Sequence, residues 1–303
     1  MRAALLREVG GPFEVVDVPE PAAGDRVLIR IRAAGVNFAD VMIRRGVYPQ
    51  MPELPTILGS EVAGELEDGT RVMAITGGGG GYAEQVAVAP TQVVPLPEHA
   101  SFAEGAGFLL TFLTAFIPLT RQVKIGPGSR VLVTAAAGGV GSAAVQVARG
   151  LGASVVGAVG SREKIDTCTA LGAEAAYLYD ELPEDETFDV ILDQIGGDFF
   201  ASSVNRLKPL GTVIAVGSAS GAWQPVEPAR IVGRNVSLAG FYLGRLMRLD
   251  PELIAASLGE LLAFWQTGAL KPLVGAELPL DDVEHAHELV ESRQSVGKVV
   301  LVP

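Results

Sequence analysis

The stretch Arg130–Lys164, RVLVTAAAGGVGSAAVQVARGLGASVVGAVGSREK, constrains the fold more than any other part of the chain. Val131, Leu132 and Val133 form a short apolar run bounded by turn residues, which predicts a buried strand. Gly138, Gly139 and Gly141 then break the chain. Ser142 through Arg149 carries small and apolar residues at helical spacing, and Gly152 stands where a C-cap glycine would. Ser154 to Ala158 predicts a second strand. Strand, glycine turn, helix and strand together make the unit that holds a dinucleotide pyrophosphate on a helix N-terminus. The glycines serve backbone access, because a Cβ there blocks the approach of phosphate oxygens to main-chain N–H groups. In the usual G-x-G-x-x-G spacing the positions fall on Ala136, Gly138 and Gly141, so the first glycine is an alanine.

The end of the second strand bears on which nucleotide. A site for an unphosphorylated ribose places Asp or Glu there, to accept from the 2′-hydroxyl. Here the residue is Val159, followed by Gly160, Ser161, Arg162, Glu163 and Lys164. A small turn, a hydroxyl and two cations suit a 2′-phosphate. The competing reading makes Arg162 and Lys164 an ordinary solvated first helical turn. The missing acid, together with the bases, favours the phosphate.

With 303 residues and 49% hydrophobic content, the chain is long enough for two domains with a sizeable core. A net charge of −12 opposes nucleic acid and anionic membranes as partners. Cys168 is the single cysteine, which excludes an intrachain disulfide and a multi-cysteine zinc site and reads as a small buried residue on a helix. The N-terminal apolar part is too short for a signal peptide, and glycines interrupt the uncharged run 131–148, so no membrane span is expected and the location expected is cytoplasmic.

Before residue 100 the chain alternates short β-rich runs with turns, consistent with a partly open barrel. Phe38–Arg45 predicts a short helix ended by Gly46. Residues 101–122 carry a helical pattern opened by a Ser101/Glu104 capping box, with Pro118 expected to bend or end it. After 130, strands at Phe188–Asp193, Gly211–Gly217 and Val236–Phe241 alternate with helices, which argues for a parallel sheet covered on both faces. Asp250 and Pro251 predict the N-cap and first turn of a helix running to Gln266. A short helix around Asp282–Ser292 and a last strand, Lys298–Val302, follow.

Read end to end, the chain resembles the zinc-independent quinone oxidoreductases of the medium-chain dehydrogenase/reductase superfamily. The matching text is AAGVNFADVMIRRGVYP, LPTILGSEVAGEL, GYAEQVAV, LTAF, AAAGGVGSAAVQVARGLGA, SREK and GKVVLVP. The resemblance implies an α/β fold in which a Rossmann-type parallel-sheet domain, 114–248, is inserted in a β-rich GroES-like catalytic domain, 1–113 with 249–303. It implies NADPH as cofactor, a small-molecule quinone or conjugated carbonyl as substrate, a meeting of the two in the cleft between domains, and a homodimer paired through sheet edges, with Val236–Phe241 as the candidate edge. Zinc-dependent members carry Cys where this chain has Asn37 and His where it has Ser60, and neither Asn nor Ser is a good zinc ligand. No metal is therefore expected. Between Gly64 and Arg71 the chain is also shorter than relatives usually are, which implies a trimmed surface turn.

Residue roles follow from the same resemblance. Asn37, Asp40 and Tyr48 match the wall of the cleft near the nicotinamide, as candidate catalytic residues. Two roles are open to Tyr48, a proton donor to a developing enolate or a packing tyrosine; a quinone acceptor needs no strong protein acid. Asn37 and Asp40 also suit the cap and first turn of the short helix, and Glu61 a hydrogen-bonding role without catalysis. The main chain of Ala137, Gly138, Gly139, Val140 and Gly141 forms the phosphate turn. Gly160, Ser161, Arg162 and Lys164, with Tyr179, match the adenosine-phosphate site; Tyr179 also suits a plain strand end. Gly217, Ser218, Phe241 and Leu243 match the nicotinamide side, and Thr114 the cleft. Lys298 reads either as a cofactor contact or as a solvated lysine at a strand start. His285 and His287, two apart on a helix, face different ways and are not expected to share a metal. The function implied is reduction of a quinone by NADPH; the alternatives are a reductase of enones, enals or enoyl thioesters, and a non-catalytic NADPH-binding protein.

Overall fold

A computed structural model describes all residues, 1–303. The chain divides into two compact units, Met1–Leu110 with Pro272–Pro303, and Thr111–Lys271.

The first unit is β-rich. A seven-stranded sheet runs Val274–Pro279, Lys298–Val302, Val27–Val36, Glu61–Glu65, Arg71–Ile75 and Val93–Pro95, and Gln85–Val88 also pairs with Val27–Val36. The strand Val27–Val36 pairs with three neighbours, Lys298–Val302, Glu61–Glu65 and Gln85–Val88, because it is ten residues long and its pairing with Glu61–Glu65 is irregular between Ile31 and Ala33. Phe13–Asp17, Arg2–Leu6 and Thr56–Ile57 form a smaller sheet in the same unit. The core of this unit is Leu6, Ile29, Ile31, Leu58, Val62, Tyr82 and Leu301, with Tyr48 packed against it.

The second unit is a six-stranded, wholly parallel sheet in the order Ala175–Leu178, Ser154–Val159, Arg130–Thr134, Phe188–Asp193, Leu207–Ala215, Ser237–Gly240. Strand order reverses between Arg130–Thr134 and Phe188–Asp193. In open parallel sheets that reversal leaves a ligand crevice outside the carboxyl ends of the strands. Ser237–Gly240 is an edge strand.

Local signals account for most boundaries. The Ser101/Glu104 capping box forms, with Ser101 Oγ accepting from Glu104 N–H at 3.1 Å and Glu104 accepting from Ser101 N–H at 2.7 Å. The region read as one helical pattern is two helices, Phe102–Ala106 and Leu109–Ile117, and Pro118 opens a short π-helical turn to Gln122. Proline has no N–H for the ladder, so the regular helix stops there. Asp250 caps Pro251–Gln266, its carboxylate accepting from Leu253 N–H at 2.9 Å. That helix, which the sequence assigns with the chain end, falls in the second unit. Its Phe264 covers Gly150, where an added Cβ would meet the ring at 2.0 Å, and its Glu260 pairs with Arg121 at 2.6 Å.

No helix is long and apolar enough to cross a membrane. Cys168 is buried, and burial pushes its thiol up to about 11, so it is unreactive at neutral pH.

Candidate active site

The parallel register of the second unit gathers the predicted nucleotide residues on one edge. Ala158 pairs with Thr134, Asp193 with Ala215, and Ala215 with Gly240, so the strands end nearly level. Ala137–Gly141, Gly160–Lys164, Gly217 with Ser218, and Phe241 with Leu243 all follow these ends.

The helix after the first strand runs Gly139–Gly150, three residues earlier than its apolar pattern suggests, with Gly138 as an extended N-cap. The first-turn N–H groups of any helix lack intrahelical partners, and here they face the strand ends with the positive pole of a three-turn dipole. Gly141 is the tight point: a Cβ would stand 2.0 Å from Ala135 O and 2.8 Å from Ala136 Cα. Gly138 is looser, its nearest contact being Ala135 O at 3.3 Å.

The alanine at the first motif position has a partner that sequence reading missed. Ala136 is sealed from solvent, and a Cβ on Gly157 in the neighbouring strand would meet the Ala136 methyl at 3.0 Å. The missing glycine has in effect moved across to the adjacent strand. Ala135 takes a left-handed conformation, φ 48°, uncommon for a side chain-bearing residue. Its N–H donates to the Tyr179 hydroxyl at 2.8 Å. Tyr179 thus supports the phosphate turn from below, with its ring edge-on to Phe199 at 5.2 Å.

Beside it, Asp193 is buried. It accepts from Gly196 N–H at 3.0 Å and Ile195 N–H at 3.2 Å and from the Thr134 hydroxyl at 3.2 Å; burial raises its pKa. Gln194 N–H donates to Thr134 Oγ1 at 2.8 Å. These bonds fix the two loops on either side of the crevice. Ser218 donates to Ala222 O at 2.7 Å, and Phe241 and Leu243 are buried. Thr114 is half-buried on Leu109–Ile117.

At the adenosine corner, Val159 is buried and brings no acid. Gly160 is exposed, with Tyr179 Cε2 4.0 Å from where its Cβ would lie. Ser161 and Lys164 are half-buried. Burial lowers the Lys164 ammonium pKa, against the pull of Glu163 and Cys168. A cation held in that setting gains from an arriving dianion. Arg162 is exposed and ion-paired with Glu181.

The first unit holds its own polar cluster, and here several expectations need correction. Asn37 occupies the N-cap position of Phe38–Arg44, but its side chain does not cap. Its Oδ1 accepts from Lys298 Nζ at 2.6 Å, and its Nδ2 donates to Glu61 Oε1 at 3.2 Å. Lys298 also ion-pairs with Glu61. Both are buried, 4% and 1% exposed in their side chains, so Lys298 is not a solvated strand-start lysine. Its ammonium is engaged within this unit. Glu61 Oε2 accepts from Leu110 N–H at 3.0 Å. Gly35 makes room for the stem: a Cβ there would meet Lys298 Cε at 2.7 Å and Ala106 O at 2.1 Å.

Asp40 is fully buried, so its side chain lines no surface that a bound molecule can reach. Its Oδ2 accepts from Asn37 N–H at 2.9 Å and from the Tyr82 hydroxyl at 3.0 Å. Asp40 and Ile43 are three apart and share a helix face, so packing Ile43 inward carries Asp40 inward with it. His287 lies in the same core against Phe13 (4.6 Å) and Tyr82 (5.8 Å), and neither ring nitrogen has a hydrogen-bond partner. His285 is exposed, and no group of three or more His, Cys, Asp or Glu side chains is placed to hold a metal ion.

Burial raises Asp40 from 3.8 to about 6, against the Asn37 N–H, Lys298 and Tyr82. A raised acid contributes stability that is present below about pH 4 and lost as pH rises through 6, about 3 kcal/mol in all. His287, lowered to about 3 by burial and by Arg44, acts oppositely: its contribution is present above pH 6.5 and lost on acidification. The comparison that isolates Asp40 is therefore native protein against Asp40→Asn. The native protein should lose about 3 kcal/mol relative to the variant between pH 4 and 7.5 in urea unfolding. A difference that stays flat across that range would refute the assignment.

A level-ended parallel sheet with a glycine turn at its switch point, in one chain with a β-rich unit of GroES-like type, defines a two-part dehydrogenase/reductase. Two family profiles agree: "Alcohol dehydrogenase GroES-like domain" matches residues 23–98 and "Zinc-binding dehydrogenase" matches residues 139–258. The chain is 33% identical to a quinone oxidoreductase-like protein 2 homolog of Nematostella vectensis, over 99% of this chain and 88% of that protein. It is 32% identical to the human synaptic vesicle membrane protein VAT-1 homolog, over 100% of this chain and 86% of that one. The quinone oxidoreductase of Thermus thermophilus, solved also in complex with NADPH, superposes with a TM-score of 0.94 at 39% identity over the whole of both chains. The chain belongs to the quinone oxidoreductase family of the medium-chain dehydrogenase/reductase superfamily.

Proposed function

We propose that this protein is an NADPH-dependent reductase that passes a hydride to a quinone without a metal ion. The observation that carries the cofactor is the adenosine corner. Val159 replaces the acid, and Ser161, Arg162 and Lys164 follow within five residues on the edge that also bears the phosphate turn. The residues present fit a dinucleotide: a three-turn helix offers its N-terminal N–H groups, and Gly160 leaves open space beside Tyr179. NADPH supplies the hydride from C4 of its nicotinamide. The chain's own part is to grip the pyrophosphate with main-chain N–H groups and the 2′-phosphate with Ser161 and Lys164, and to present the nicotinamide from the Gly217, Ser218 and Phe241 loops.

The acceptor rests on the relatives. Several carry quinone oxidoreductase in their names, and the Thermus protein was solved with NADPH. A quinone takes the hydride and a proton to become a hydroquinone, and its anion is stabilised enough for water to protonate it, so no strong protein acid is needed. Tyr48, half-buried against the barrel core, then acts by packing. Metal independence is supported by Asn37 and Ser60, poor ligands, and by Lys298, whose positive charge already faces the Glu61 carboxylate.

Titration with NADPH and NADH tests the reading. NADPH should bind at least tenfold more tightly, and Lys164→Ala should remove most of that margin. Turnover with a simple benzoquinone then checks the acceptor. Equal binding of both nucleotides, unchanged in the variant, would discard the NADPH assignment.

A further inference from the structure

The adenosine corner contains a charge that a phosphate site does not call for. Arg162 is the N-cap residue of the helix Glu163–Ala170, and its guanidinium is ion-paired with Glu181. The two side chains are 70% and 42% exposed, so both are reachable from solvent. Glu181 is not on a loose loop. Its N–H donates to Leu178 O at 3.0 Å, closing a turn at the end of Ala175–Leu178. Two residues before it, Tyr179 is fixed to Ala135. Leu178 pairs in register with Val159, so the turn carrying Glu181 stands next to the one carrying Gly160–Arg162.

From this placement we propose that Glu181 sets the margin between NADPH and NADH, because its carboxylate and the ribose 2′-phosphate compete for the Arg162 guanidinium. The inference rests on the NADPH reading above and adds to it a residue that opposes it. A free 2′-hydroxyl carries no charge and leaves the Arg162–Glu181 pair undisturbed. A 2′-phosphate is a dianion: it draws the guanidinium away from Glu181 and meets the carboxylate's negative charge at short range. An exposed ion pair is weak, so Arg162 can change partners, and the effect is a tuning of preference rather than a switch.

Glu181→Gln keeps the size and hydrogen-bonding reach and removes the charge. Titration of the whole protein with NADPH and with NADH is the readout. In the variant the ratio of NADPH to NADH affinity should rise about three- to tenfold, through NADPH, and Arg162→Ala should shrink that gain. A preference ratio that rises less than threefold, falls, or rises equally in the Arg162→Ala background overturns the proposal. Failure of the NADPH reading looks different: the native protein itself would then show no NADPH preference.

Discussion

Replacing Lys298 by methionine is expected to cost about 3–5 kcal/mol of stability, because it leaves the Glu61 carboxylate buried without its cation. Nothing else compensates that charge: its remaining partners are Asn37 Nδ2 at 3.2 Å and Leu110 N–H at 3.0 Å, both uncharged. Glu61→Gln leaves the complementary fault, a buried ammonium with only uncharged acceptors, Asn37 Oδ1 and the amide oxygen at position 61. The double variant Lys298→Met/Glu61→Gln removes both charges together and should recover most of the loss. Urea unfolding of the four proteins makes the cycle. Single variants within about 1 kcal/mol of native stability would show that the pair is solvated and that the buried network described here is wrong. A double variant no better than the singles would show that packing of the long lysine stem, not charge, is what the position supplies.

The second large effect is at Gly141. An alanine there places its methyl 2.0 Å from Ala135 O and 2.8 Å from Ala136 Cα, both in the main chain, so no side chain can swing away to accept it. The phosphate turn and the helix start have to separate by roughly 1 Å. Overpacking against backbone should cost about 3 kcal/mol of stability, and a displacement of that size should cost at least about tenfold in nucleotide affinity, the worth of one hydrogen bond to a charged group. Gly138→Ala is the comparison for stability, since its new methyl would lie 3.3 Å from the same oxygen and its backbone is extended, so its loss should stay within about 1 kcal/mol. Urea unfolding separates the two, and isothermal titration of Gly141→Ala with NADPH reads the affinity. If both variants lose equally little stability, the close approach at Gly141 does not shape the turn.

Much of the second unit was legible in the sequence because its signals are local. The apolar run, the glycine turn, Val159 and the Asp250–Pro251 cap each act within a few residues, and the structure has the strands, the helix start and the cap at those positions. What stayed hidden depends on partners far apart in the chain. Lys298 and Glu61 are separated by 237 positions, and no spacing rule links them. A signal was present all the same: each opens an apolar strand, KVVLV and EVAGE, where a lone charge is costly to bury unless another answers it. The resemblance puts Asp40 on the cleft wall; only the fold shows that Tyr82, 42 positions on, meets it in the core. Tyr179 carried two readings in the sequence, and its observed bond to Ala135 is a third, a support for the turn. The exchange between Ala136 and Gly157 was invisible, because it spans two strands.

In the function and inference proposed above, main-chain N–H groups grip the pyrophosphate, whereas the choice of ribose is assigned to side chains at Ser161, Arg162, Lys164 and Glu181. The two sets are separable by mutation. The first tolerates almost no change, since it is the polypeptide itself and Gly141 leaves no slack. The second sits on exposed or half-exposed turns that contribute little to the core. A lineage, or an engineer, can therefore exchange one electron-donor pool for another through a handful of surface substitutions, with the scaffold that aligns the donor left intact.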